Sequence, residues 1–176
     1  MRFINISPFE VTYNFFNGLH KDWCLLCAGN SNNIKECNMM TISWGGVGIL
    51  WNKPIAICYV RPQRYTFKFI EENKSFSLNF FESKNKNYKK ALDFCGANSG
   101  RDFNKFIETG LTLYKTKNNI PSILQSKLII ECKSLYSDFI KEDLFLEPKL
   151  VENFYQKKDF HKFFIGEIVN ILQATE

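Results

Sequence analysis

Between Asn38 and Phe81 the chain reads NMMTISWGGVGILWNKPIAICYVRPQRYTFKFIEENKSFSLNFF. No other stretch limits the fold as much. Side chains alternate in character: Met40, Ile42 and Trp44 against Met39, Thr41 and Ser43, then Phe76, Leu78 and Phe80 against Ser75, Ser77 and Asn79. Pro54 to Val60 forms a run between them, Ile55, Ile57 and Tyr59 opposite Ala56, Cys58 and Val60. A period of two marks a strand with distinct faces. Strand follows strand here, with one helical pattern, from Tyr65 or Thr66 through Glu72, between the last two. Such an order favours an antiparallel sheet over a doubly wound parallel one.

The rest of the chain extends this reading. Ser7-Pro8-Phe9-Glu10 has the form of a capping box and predicts a helix to about Asn17, stopped by Gly18. Trp23–Ala28 reads as a buried strand, Gly29–Asn33 as a turn and Ile34–Trp44 as the next strand. Gly45, Gly46 and Gly48 interrupt that run and predict a bulge or a close approach of backbone or ligand. Asn52-Lys53-Pro54 reads as a turn. Asn87 caps a predicted helix through Phe94, ending near Gly96. Ser99 with Asp102 resembles a second capping pattern, opening a helix with Phe103, Phe106 and Ile107 on one face and Gly110 at its end. Strands are expected at Leu111–Thr116 and Lys127–Leu135, a short helix at Leu150–Lys157, and a last strand at His161–Leu172. The sum is about six or seven strands with peripheral helices, an antiparallel barrel rather than an open α/β sheet.

Composition closes off several function classes. With 176 residues, 45% hydrophobic and 23% charged, the chain is expected to form one globular domain over 1–176. Its net charge of +5 is spread over scattered lysines such as Lys84, Lys86, Lys89, Lys90, Lys157 and Lys158, whereas a nucleic-acid binder needs a denser stripe. No apolar run approaches the ~20 residues of a membrane span, and the N-terminus lacks a secretory h-region, so a cytoplasmic setting is expected. The six cysteines sit mostly in apolar runs, as reduced core thiols do. Cys24 and Cys27 have CxxC spacing, but lie on a strand with opposite facing and have no second pair, so no metal site is expected.

Two constellations carry chemistry. Arg61 and Arg64 stand beside the helix start at Tyr65 and Thr66, where guanidinium groups, free amides and a hydroxyl can hold a phosphate. Met40, Thr41, Ile42, Ser43 and Trp44 offer strand amides and same-face hydroxyls to a flat polar ring. Together they predict a site for a phosphorylated aromatic cofactor. Ser99, Gly100, Arg101 and Lys105 form a further anion candidate. The competing readings are structural: Met40 and Trp44 as core, Arg64 in a surface ion pair, Ser99 as a simple cap with Arg101 and Lys105 solvated, and His161 as a hydrogen-bonded strand residue. Catalytic triad, HExxH, paired-carboxylate and GxGxxG patterns are all missing from the sequence.

The blocks N-M-M-T-I-S-W-G (38–45), W-N-K-P (51–54), Y-V-R-P-Q-R-Y-T (59–66), C-G-A-N-S-G-R-D-F-N-K-F (95–106), E-C-K (131–133) and H-K-F-F-I-G-E-I (161–168) resemble, in this order, the flavin reductase-like family of FMN-binding split barrels, in particular its flavoredoxin-type branch. The resemblance implies a mainly β fold: a six-stranded antiparallel split β-barrel of Greek-key type with short flanking helices. It also implies a homodimer with FMN near the subunit interface, and transfer of hydride or electrons through that flavin. On this reading Asn38 to Trp44 meet the ring, and Arg61, Arg64, Tyr65 and Thr66 meet the phosphate. Ser99, Gly100, Arg101, Lys105 and His161 supply further walls, from either subunit. The implied activity is that of an NAD(P)H-dependent flavin reductase-type oxidoreductase, with NADH or NADPH visiting as co-substrate. The alternative is a flavoredoxin-like electron carrier reduced by a redox protein partner.

Overall fold

The computed structural model describes residues 2–82 and 85–175, so Lys84 lies outside the described residues. Ten strands are described: β1 (Arg2–Asn5), β2 (Cys24–Gly29), β3 (Cys37–Ile42), β4 (Gly45–Leu50), β5 (Lys53–Val60), β6 (Ser75–Phe80), β7 (Leu113–Lys115), β8 (Pro121–Ile123), β9 (Leu128–Phe139) and β10 (Lys162–Thr175). The α-helices are α1 (Phe15–Asn17), α2 (Thr66–Asn73), α3 (Lys86–Ala97), α4 (Lys105–Thr109) and α5 (Pro148–Phe154). Antiparallel ladders run in the order β3-β2-β6-β9-β10-β5-β4, and β1 adds to the end of β10. This gives an eight-stranded sheet where six strands are expected, with β7 and β8 as a separate hairpin.

The two ends of that path are β3 and β4, yet only Ser43 and Trp44 separate them in sequence. Three Cα steps reach at most about 11 Å. The sheet must therefore roll until its edges come near each other, and among the described residues no ladder joins them. The result is a barrel with a split, and Ser43–Trp44 bridges the split.

Alternation divides the core as the sequence predicts. Cys24, Leu26, Met40, Ile42, Phe76 and Ile130 point into the barrel, while Leu25, Cys27 and Met39 pack outward against Leu92, Cys95 and Phe106 of α3 and α4. Cys24 and Cys27 thus face opposite sides, and all six thiols are free and buried.

Several expected elements are corrected. The Ser7 capping box forms, but it closes only the 3-10 turn Pro8–Glu10. The chain from 11 to 14 is not helical, and Tyr13 packs on Phe80 at 5.1 Å. Burial of that ring outweighs continuation of the helix. Gly18 is right-handed (φ −59°) and leads into a π-helical turn instead of ending a helix. The strand expected over 34–44 is a 3-10 turn, Ile34–Glu36, followed by β3. The glycines at 45, 46 and 48 build β4 itself, paired along β5. A Cβ at Gly45 would lie 2.5 Å from the Ile57 carbonyl, so the expected close approach is real there. The turn falls at Trp51–Asn52, both at positive φ, as a two-residue hairpin of type I′ demands. Asn85, not Asn87, caps α3, which runs through Gly96. Ser99 accepts from the Arg101 amide at 3.2 Å, but the next helix starts at Lys105 under an Asn104 cap. Residues 99–103 are therefore a loop. The helix expected at 150–157 begins and ends earlier, with Pro148 at its first turn.

Candidate functional site

The edge strand β3, the turn from β5 into α2, and the loop after α3 enclose a groove made of two adjoining cavities. The larger holds about 390 Å³ between Asn38 and Met40, the segment 61–66, and the loop from Cys95 to Lys105. The smaller holds about 170 Å³ between Met40–Trp44, Tyr59 and His161. Met40, Arg61 and Arg64 line both, which makes them one groove. The larger cavity alone falls in the ordinary size range of small-molecule sites.

The larger cavity is cationic. The turn is wound by Arg64 N–H donating to Arg61 O (3.0 Å) and Phe67 N–H to Arg64 O (2.9 Å). It leads into α2, whose start has no side-chain cap. Thr66 is fully buried, and its Oγ1 accepts from Asn38 Nδ2 at 2.9 Å. That bond ties the helix start to β3. Arg64 Nη1 donates to Gly96 O (3.2 Å), and Arg101 Nη1 to Gln63 O (3.1 Å). The Arg101 guanidinium lies 5.0 Å from the Tyr65 ring centre. Gly100 closes the loop over Asn38; a Cβ there would sit 2.2 Å from Asn38 Oδ1.

Lys105 is not a solvated surface residue. It is buried, and its Nζ donates to Met39 O (3.0 Å) and Cys95 O (2.8 Å). An ammonium has three donors, so one remains for the cavity. Burial lowers its pKa, with the Cys95 thiol opposing and Arg64 adding to the shift. Arg61 realises two readings at once: it lines the cavity and also pairs with Asp159, while its Nη2 donates to Phe154 O at 2.9 Å. Four cationic side chains (Arg61, Arg64, Arg101, Lys105) face one carboxylate (Asp159), a formal excess of three positive charges. Such a wall favours an anion.

The smaller cavity is built differently. As an edge strand, β3 pairs with β2 on one side only, so backbone donors and acceptors on its other side are open to a ligand. Met40 and Ile42 also belong to the barrel core, so the structural reading of Met40 holds beside its place on the cavity wall. The Thr41 hydroxyl donates to Leu92 O and is thus engaged with α3. Trp44 is partly exposed, with its ring 4.9 Å from His161 and 5.6 Å from Phe154. His161 is buried, and its Nδ1 lies 2.9 Å from the Tyr155 hydroxyl. Burial first, then Arg61 and Arg64, push its pKa down to about 4 against the opposing pull of Asp159. The imidazole is neutral at pH 7.

Asn38, Met40 to Trp44, Arg61, Arg64 to Thr66, Ser99 to Arg101, Lys105 and His161 each line one of these cavities, whereas Met39 packs outward on α3 and α4; a single chain supplies both the 95–105 loop and His161. Gln63, Tyr155 and Asp159 are missed by sequence reasoning. Gln63 Nε2 donates to Asp159 at 2.6 Å across 96 positions of sequence, a separation that leaves no local pattern. Glu131-Cys132-Lys133, part of the resemblance, lies in β9 and lines neither cavity.

A family model described as "Flavin reductase like domain" matches residues 24–176. Among solved structures, flavoredoxin from Methanosarcina acetivorans aligns with a TM-score of 0.63 at 24% identity, covering 94% of this chain and 75% of that one. An FMN-binding protein from Thermus thermophilus, solved with 1-cyclohex-2-enone, gives 0.64 at 16% identity, covering 94% and 76%. The NADH:FAD oxidoreductase SgcE6 of Streptomyces globisporus gives 0.62 at 14% identity, covering 87% and 75%. At these identities the solved structures speak for the fold. No curated protein matches the sequence.

Proposed function

The chain belongs to the flavin reductase-like family, and from that premise we propose that it binds FMN in this groove and passes hydride or electrons through it. The family supports a flavin-dependent redox role. The choice of FMN and of its reductant is our reading. One observation carries it: a single groove has a cationic end, four positive side chains to one carboxylate, and an edge-strand end with open backbone groups. A ligand with a phosphate at one end and a flat polar ring at the other fits that polarity.

Arg64, Arg101, Lys105 and the amides at the start of α2 would hold the phosphate. The backbone of Met40–Trp44 would meet the ring edge, and Trp44 would cover the ring end from the side of the split. When bound, the flavin supplies the redox chemistry, and the protein orients it and limits water. Neutral His161 adds no positive charge at the ring end. We favour NADH or NADPH as a transient co-substrate, in keeping with the lack of a GxGxxG fingerprint. The carrier alternative draws on the exposed Trp44 and Phe154 at the ring end, a surface on which a redox protein could dock. We also propose a homodimer, supported by the apolar outer face of β4. A cytoplasmic setting is supported by six unpaired cysteines. Among the described residues no helix is long and apolar enough to cross a membrane.

The test is the visible spectrum of the purified protein titrated with FMN, followed by anaerobic addition of NADH and of NADPH. A flavin spectrum bleached by either nucleotide is the expected result. Bleaching only by a reduced protein donor selects the carrier, and absence of flavin binding overturns the assignment.

A further inference from the structure

His161 has two ring nitrogens, and only one of them is left for the groove. Nδ1 lies 2.9 Å from the hydroxyl of Tyr155, a residue 4% exposed. Burial, against the opposing pull of Arg61, raises the Tyr155 pKa, so the phenol keeps its proton. That proton needs an acceptor, and among the described residues the hydroxyl bonds only to His161. If the imidazole donated from Nδ1 instead, the buried phenol proton would be stranded, the costly outcome for any buried donor.

The phenol is also held in place. Its ring stacks on Phe160 at 4.7 Å and 22°, meets Phe145 edge-on at 5.8 Å, and lies under the Arg61 guanidinium at 5.4 Å. Arg61 is itself anchored to Asp159 and to Phe154 O. On the other side, the imidazole rests against Trp44 at 4.9 Å.

We propose that Tyr155 is a positioning residue: its hydroxyl donates to His161 Nδ1 and fixes the neutral tautomer with its proton on Nε2, so the ring end of the groove meets an N–H donor. The charged and titratable groups around the imidazole are consistent with this. Arg61 and Arg64 disfavour a second positive charge, Asp159 opposes them, and Tyr59 shares the cavity wall. A neutral donor selects a ligand atom that accepts, such as a carbonyl oxygen or an unprotonated ring nitrogen of a flat heterocycle. The choice of ligand rests on the function proposed above; the tautomer does not.

The experiment is long-range ¹H–¹⁵N NMR of His161 in the full chain, with and without added FMN, in wild type and in Tyr155→Phe. In the wild type at pH 7, Nδ1 is expected to be unprotonated and Nε2 protonated. In Y155F both tautomers become populated. Its titration midpoint moves up by roughly half to one pH unit, because a donor that stabilised the neutral ring has gone. A wild-type ring protonated on Nδ1 overturns the proposal, and this spectrum decides the point even if the variant misfolds. A folded Y155F with an unchanged tautomer and midpoint overturns it equally. If FMN fails to bind while the tautomer is as expected, the functional reading falls and the role of Tyr155 stands.

Discussion

Single side chains in the groove have jobs that differ in kind. Thr66 and Asn38 spend their polar groups on each other, so their contribution is to hold the start of α2 against β3. Arg64 and Arg101 each donate a hydrogen bond to a backbone carbonyl and remain exposed, so their other donors are available to an anion. Arg64→Ala combined with Arg101→Ala should therefore weaken FMN binding by about 1.5–3 kcal/mol per charge-assisted bond lost, leaving the fold unchanged. Fluorescence titration with FMN, alongside circular dichroism, measures both. His161 carries a pH prediction. Its folded pKa of about 4 lies below the ordinary 6.5, so the unfolded chain binds the extra proton first as pH falls. Stability contributed by the neutral ring is complete above about pH 6.5 and declines progressively towards pH 4, by on the order of 2–3 kcal/mol. His161→Gln should flatten that part of the curve in urea unfolding at pH 4.5 and 7. An identical slope in the variant would rule out His161 as its source.

At the scale of elements, the hairpin β4–β5 shows what sequence patterning reaches and what it misses. The alternation in β3, β5 and β6 was legible because each strand buries one face differently from the other. β4 was not, because its glycines and exposed Val47 and Ile49 give no inward apolar face to detect. The short strand β8 has no alternation to read and was missed, though it packs on β6 through Ser77 Oγ donating to Pro121 O (2.6 Å). The cationic end of the groove was legible since Arg61, Arg64 and Thr66 lie within one turn. Asp159 on the wall and Tyr155 behind it under Arg61 were not, since only the folded chain brings residues 155–159 to Arg61. The turn of this hairpin carries its own prediction. Trp51 holds φ at 52°, a region that costs a bulky L-residue roughly 1–2 kcal/mol. Asn tolerates that region far better. Trp51→Asn should stabilise the chain by about 1 kcal/mol, read as a higher urea midpoint at low protein concentration. A lower midpoint there would show that the Trp51 ring contributes more to its own chain than its backbone costs.

The whole molecule is a sheet rolled until β3 and β4 face each other across a split, and the two edges have different fates. The edge of β3 lines the groove. The strand β4 presents Val47 and Ile49 along one face, at 37% and 61% exposure, and Trp51 in the turn beyond it is 55% exposed. An exposed apolar edge strand is a surface that a protein ordinarily pairs or covers. The strained Trp51 at its tip is the kind of outlier that persists where function requires it. A second copy of the chain is the cover we propose. Val47→Lys with Ile49→Lys should then convert a dimer to a monomer, seen by light scattering after size exclusion. Since one chain brings together the cationic end, the β3 edge and His161, that monomer should still bind FMN, within about tenfold of the wild type. A wild type that is monomeric at tens of micromolar would end the dimer proposal. A monomeric variant with no flavin affinity at all would mean instead that an essential wall of the groove comes from the partner.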